Sequence, residues 1–517
     1  MKGPAKTAAF GCALLAAAIL SAACGKAAPL KLARDILPVE ESPLVSLRIL
    51  VRVGSAHDPS GKEGLARLTW SLLAGGGSRS MSVRDIAEKL YPLAADLALS
   101  VDKEMSAFSG TVHRDNLDRY YAVVREMLLD PGFREDDFAR IKAGQLAFLE
   151  KTLPGDRDEP LASEILNLML YDGHPYGHAE AGTVESVESL TLDDAKAFYK
   201  EYFVQGNIVL GLAGGYPPDF PDKIAADFAR LPETFTPRLV LPPPRKPQGL
   251  EFAIADKPAA ATSIEMGFPI ALTRADKDFF ALWVAQAHFG EQGRSFPRLT
   301  QKIREERGLN DGDSAAIEHF VQGRDKSPEP NHGRQQQVFS IRIRPVPDAD
   351  RHFVVRQALR ELRKLVEDGI SEERFQLVRA HLLSATKLYA RTLGERLGWQ
   401  MDARYCGTDD ILAAAQAALP RLTRADVNRA IRKYLNFADA AVAVVTRDAE
   451  AFKSGLVADA PSPVKYANPN MPRAVLDEDA VIQEFPLAVR ADNARTAPAA
   501  EFFQKAGLPW KQGGTER

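Results

Sequence analysis

Apolar residues fall at every second position through Val45, Leu47, Ile49, Val51 and Val53, the period of a half-buried strand. Asp58-Pro59-Ser60-Gly61 breaks that strand, and Gly64-Leu65-Ala66 opens a helix. The same reading predicts strands over residues 97–101, 107–112 and 208–213. It predicts helices over residues 117–129, 135–151, 161–170 and 193–202. Strands interleaved with helices in this way predict an α+β fold, with helices packed on one face of an antiparallel sheet.

The pattern occurs twice. Leu190-Thr191, followed by Asp194 and the run to Tyr202-Phe203, has a counterpart at Leu422-Thr423, Asp426 and Tyr434-Leu435. In each copy a threonine precedes a helix and an aspartate follows three residues later, a capping-box pair. Each helix leads into a β-rich stretch, residues 208–213 and 440–445. A second pair, starting at Pro131-Gly132 and at Asp368-Gly369, keeps the same order, with Phe138 matching Phe375. Two ordered pairs indicate a duplicated unit. A proline-rich connector around Pro242-Pro243-Pro244 separates the copies, because such a segment cannot pack as helix or sheet.

The start of the chain has a targeting pattern. Lys2 and Lys6 precede an apolar run from Ala8 to Leu20, long enough for a signal core and too short to span a bilayer. Small residues then lead to Cys24, which resembles the lipidated cysteine of a bacterial lipoprotein. The expected organisation is a signal peptide (1–23), a linker (24–42), a first α+β domain (43–236), a connector (237–249), a second α+β domain (250–449) and a tail (450–517) wrapping the body. Export to the bacterial envelope follows, with the lipid as the only membrane attachment. Three cysteines in all, one in the signal and one lipidated, leave Cys406 unpaired, so no disulfide framework is expected. A formal net charge of −3 argues against a nucleic-acid footprint.

The strand, the Asp-Pro turn and the helix after Gly64-Leu65-Ala66 resemble the opening of an insulinase/pitrilysin-family zinc peptidase domain, which reads roughly VxxGSxxDPxGxxGLAHxxEHxL. The resemblance covers most of the chain and implies two similar α+β domains facing each other across a chamber. In the family, both histidines of HxxEH bind zinc from one helix face and the glutamate activates water. Here Arg67, Trp70 and Ser71 occupy those three places. An arginine cannot ligate zinc and a tryptophan cannot take the proton. The family's third ligand, a glutamate, aligns with Ala147 or Phe148, and neither holds metal. Glu150 lies nearby as a solvated helix residue. The one close histidine pair, His174 and His178, is broken up by Pro175 and Gly177 into a loop.

The second half carries a segment, Ile303-Arg304-Glu305-Glu306-Arg307-Gly308-Leu309, that resembles the family's IREKRGLxY. There an arginine and a tyrosine reach across the chamber to the substrate. Arg304 matches the arginine, and Asp311 stands in place of the tyrosine. The family also adds its peptide substrate as a strand to the edge of the first domain. Leu97, Ala98 and Leu99 match that edge.

The resemblance therefore implies no catalytic residue, metal or cofactor in this chain. It implies a non-catalytic subunit that holds extended peptide and completes a chamber with a separate HxxEH-bearing chain. The alternatives are a stand-alone peptide-binding or scaffold lipoprotein, and an active metallopeptidase that uses unrecognised residues.

Overall fold

A computed structural model describes residues 32–291, 293–318, 330–466 and 468–511. The signal segment and Cys24 lie outside the described residues. Two sheets organise the rest. The first has strands β1 (Ala33–Pro38), β2 (Leu44–Val51), β3 (Ala98–Val101), β4 (Ser106–His113) and β5 (Ile208–Gly214), in the spatial order β1-β5-β2-β4-β3. The second has β6 (Leu250–Asp256), β7 (Thr262–Ile270), β8 (Asp313–Ala316), β9 (Gln337–Val346), β10 (Ala440–Thr446) and β11 (Ala494–Pro498), in the order β11-β6-β10-β7-β9-β8.

The antiparallel expectation holds for β5-β2-β4-β3 and for β10-β7-β9-β8. At the other end of each sheet the pairing turns parallel, β1 with β5 and β11-β6-β10. Two boundaries change as a result. Residues 33–38, expected in the linker, form an edge strand. The tail does more than wrap the body, because β11 extends the second sheet. Past β11, Phe502 and Phe503 enter the apolar core of the first half. Their backbone carries on the contact: Val184 N–H donates to the Phe503 carbonyl at 2.9 Å. The chain's last described segment thus ties the second sheet to the first half.

The duplication is visible in the caps. Thr191 and Thr423 each accept from the backbone N–H three residues on, and Asp194 and Asp426 each return a bond to the cap residue. Side-chain and backbone donors from Thr423, with Arg429 beside it, hold the Asp426 carboxyl down at about 2. The proline-rich connector has no regular structure.

The halves exchange helices. The Asp158–Leu170 helix of the first half packs on β7 and β10 of the second sheet. The Leu393–Cys406 helix of the second half packs on β1, β2 and β5 of the first sheet. There Leu397 and Met401 bury against Leu50, Ala107, Val209 and Ala213. Each exchanged helix thereby covers the sheet face that points toward the other half. At roughly 1.5–3 kcal/mol per fully buried large apolar side chain, this exchange is a main apolar bond between the halves. Cys406, at the end of the second exchanged helix, is a free and partly buried thiol. Burial pushes it up to about 11, so it is held as the neutral thiol at neutral pH.

Candidate functional site

The Leu65–Gly75 helix carries Arg67, Trp70 and Ser71, the residues expected at the family's metal positions. Its start is fixed by the Asp-Pro turn. The Asp58 carboxylate accepts from the N–H of Gly64 and of Ala66, both at 2.7 Å. Gly64 itself sits at φ +94°, and a Cβ there would stand 2.5 Å from the Ala181 carbonyl oxygen, so only glycine fits. The same turn sequence that begins a metallopeptidase helix in the family thus begins this helix.

The three side chains that follow have parted company. Arg67 is half-buried, and its guanidinium lies 5.8 Å from the centre of the Phe148 ring. Phe148 is one of the two residues aligned with the third ligand. The residue expected at the first ligand position and one of the two candidates for the third therefore meet, as a cation on an aromatic face. Trp70 is fully buried, edge-on to Phe108 at 6.3 Å and to Phe198 at 5.6 Å, with Phe203 beside it. Ser71 is half-buried, and Ala147 is exposed at the end of the Glu135–Ala147 helix. That helix was expected to run to residue 151. Instead it widens to a π-helical turn, Phe148–Thr152, of the kind often found at functional sites. These residues do not fit a zinc ion. Among the described residues no group of three or more His, Cys, Asp or Glu could hold a metal.

The histidine pair is structural. His174 contacts the Pro242 carbonyl at 3.0 Å through Nε2 and accepts from the Tyr176 N–H at 2.9 Å. His178 is bonded through Nδ1 to the Ala179 carbonyl at 2.9 Å, and burial with Lys103 nearby pushes it down to about 4. Both rings are thereby used in contacts within the first half and to the connector that follows it.

A cavity of about 550 Å³ lies between the halves, beside Arg67. Two sheet edges border it. Leu99, Ser100 and Val101 of β3 line one side, and Ser314, Ala315 and Ala316 of β8 line another. Both are terminal strands of their sheets, so each has one edge with no strand partner among the described residues. Trp283, Tyr389 and Trp399 supply aromatic wall, and the Arg274 guanidinium stacks 4.9 Å from the Trp399 ring. The exchanged Asp158–Leu170 helix contributes Ser163, Glu164 and Asn167.

The end of β3 is locked to the second half by buried charges. Asp102 receives the Arg334 guanidinium in a two-point pair, one contact being Nε to Oδ2 at 3.0 Å. Lys103 pairs with Glu180 at 3.0 Å. Glu104 accepts from the Gln335 N–H at 2.7 Å and from the Tyr405 hydroxyl at 2.6 Å, and also from Tyr176. Each charge is paired or hydrogen-bonded, which is what permits three consecutive charged residues to be 1–4% exposed.

Of the candidate positions, Arg67 and Leu99 line the cavity; Trp70, Ser71, Ala147, Leu97 and Ala98 do not. Leu97 is half-buried and Ala98 exposed on or beside the same edge strand. Trp70 points into the first-half core and does not line the cavity. Arg304 was expected at the peptide. It is 46% exposed, its carboxylate neighbour is Glu305 at 3.8 Å, and it is absent from the cavity wall. Asp311 is exposed and also off the wall. The inward-facing arginine of that segment is Arg307. Its buried guanidinium meets Glu478 at 3.0 Å and Asp479 at 2.9 Å, anchoring the Arg473–Ile482 helix of the tail. Through Arg307, this segment helps assemble the fold.

Sequence reasoning missed Glu164, Arg274, Arg334 and the three wall aromatics. One signal was present. Ser163, Glu164 and Asn167 form a polar stripe within one turn of an otherwise apolar helix, at the spacing of one face.

The comparisons agree with this geometry. The family model described as insulinase (peptidase family M16) matches residues 38–152, and the one described as peptidase M16 inactive domain matches residues 189–382. Among curated proteins, an uncharacterized zinc protease of Rickettsia bellii is 22% identical over 33% of this chain, which spans only 40% of that relative's length. A non-peptidase homolog, YmxG, of Helicobacter pylori is 21% identical over 78% of this chain and 89% of its own. Among solved structures, a peptidase M16 inactive domain from Pseudomonas fluorescens superposes with a TM-score of 0.70 at 23% identity, covering 80% of this chain and 95% of that one. The chain is an insulinase-family homologue with the two-sheet metallopeptidase fold.

Proposed function

We propose that this chain is a non-catalytic, envelope-located member of the insulinase family that pairs with a separate HxxEH-bearing chain and holds extended peptide in the chamber. The observation that carries the reading is the Arg67–Phe148 contact, a cation on a ring where the family assembles its ion. The likeness to a non-peptidase homolog over most of both chains supports it. Two unpaired strand edges beside one cavity supply what peptide addition needs, namely free backbone donors and acceptors.

A second reading, a stand-alone peptide-binding or scaffold lipoprotein, is favoured by a different observation. One chain encloses its cavity unaided, with its own halves joined by the buried Arg334–Asp102 pair. Affinity capture of the tagged full chain from its own membranes, followed by mass spectrometry, decides between them. The proposal expects a near-stoichiometric HxxEH relative in the membrane fraction. Capture of the chain alone contradicts the pairing and favours the second reading.

A further inference from the structure

Charge on the cavity wall is uneven. Of its lysines and arginines, Lys103, Arg274, Arg334 and Arg342 each have a carboxylate within ion-pair distance. Arg67 and Arg157 have none among the described residues. Arg67 lines the cavity, its side chain contacts the Phe148 ring, and its guanidinium donors make no hydrogen bond to the described residues.

Where Arg67 stands limits what it can meet. Its helix begins at Gly64, packed against the Ala181 carbonyl. The residue before Ala181 is Glu180, the partner of Lys103 at the far end of β3. Arg67 therefore sits toward the end of β3 that the Asp102–Arg334 pair closes. An extended peptide laid along β3 toward Arg67 runs up against the buried Asp102–Arg334 pair just past the strand's end. A chain terminus fits there, and a planar guanidinium selects the terminus that is a carboxylate.

We propose that the cavity takes short peptides ending in a free α-carboxylate, with Arg67 as the residue that reads that end. This inference rests on the peptide-holding reading above and narrows it to a ligand class. The cavity's 550 Å³ falls in the range of small-ligand sites, roughly 300–1,000 Å³, so a few residues fit and a folded protein does not. Burial, with the Glu180 carboxylate beside it, pushes the Glu164 carboxyl up toward its neutral form, which reduces its opposition to an anion. The reaction that generates such ligands is peptide-bond hydrolysis, which leaves a new α-carboxylate on each amino-side fragment. The chain would then retain products of proteolysis.

The test is fluorescence polarisation with the full mature chain and an N-terminally labelled pentapeptide of valine, leucine and alanine, as the free acid and as the C-terminal amide. The free acid should bind at least tenfold more tightly. Arg67→Met should bring the acid down to the level of the amide, and Arg67→Lys should keep part of the preference. Equal binding of acid and amide by the wild type overturns the inference and leaves the peptide-holding reading standing. So does an undiminished preference in Arg67→Met, or an amidated peptide with one internal glutamate that binds as well as the acid. Binding of neither form overturns both readings together.

Discussion

Replacing Trp70 with alanine should cost about 3–5 kcal/mol of stability, the usual range for deleting a buried aromatic ring. The ring is fully buried, and three phenylalanines from β4, the Leu192–Tyr202 helix and the residue after it close around it. Alanine leaves a void that three rigid rings cannot collapse to fill. If the first half unfolds as a unit of about 200 residues, at about 2–4 °C per kcal/mol, its melting temperature should fall by roughly 6–20 °C. Trp70→Phe should cost much less. It keeps an aromatic ring and removes an indole N–H that has no hydrogen-bond partner in the structure. Differential scanning calorimetry of the three proteins checks this. A Trp70→Ala transition within a degree of wild type would place the ring at the surface, against the structure.

The second large effect belongs to the pair between the halves. Asp102→Ala should destabilise the protein by about 3–5 kcal/mol, because it leaves the Arg334 guanidinium buried with only Glu180, at 3.6 Å, as a carboxylate neighbour. The double variant Asp102→Ala/Arg334→Met should recover most of that loss, since it removes the stranded charge along with its partner. Urea unfolding of the two singles and the double measures the coupling. Additive losses would mean that the two side chains do not share one buried site. A loss in Asp102→Ala below about 1 kcal/mol would mean that water reaches the pair.

How much of this was legible in the chain can be argued from particular residues. The strand at Leu44–Val51 and the helix at Leu117–Leu129 follow from periodicity, because the apolar residues that mark each period are the ones each buries in the first-half core. The capping boxes at Thr191 and Thr423 are local hydrogen bonds, so the sequence states them directly. That Arg67, Trp70 and Ser71 share one helix is local in the same way.

What the sequence hid is what depends on distant partners. Asp102-Lys103-Glu104 reads as a solvated turn, because three charges in a row are ordinarily exposed. Their burial needs Glu180, Arg334 and Tyr405, and nothing local announces those. Strands β1 and β11 join by parallel pairing to segments far along the chain, which leaves no hairpin signal. Arg304 was favoured over Arg307 by its match to a family motif. Which arginine turns inward was settled by Glu478 and Asp479, on a helix more than 160 residues later.

The proposed non-catalytic role requires that this insulinase-family scaffold bind no zinc at the family site. Elemental analysis of the full chain, purified without chelator and dialysed against trace zinc, tests it most directly. The account predicts zinc well below one tenth of an atom per chain, unchanged in Arg67→Met. One tightly held zinc per chain, removable by chelator with loss of peptide hydrolysis, would contradict it.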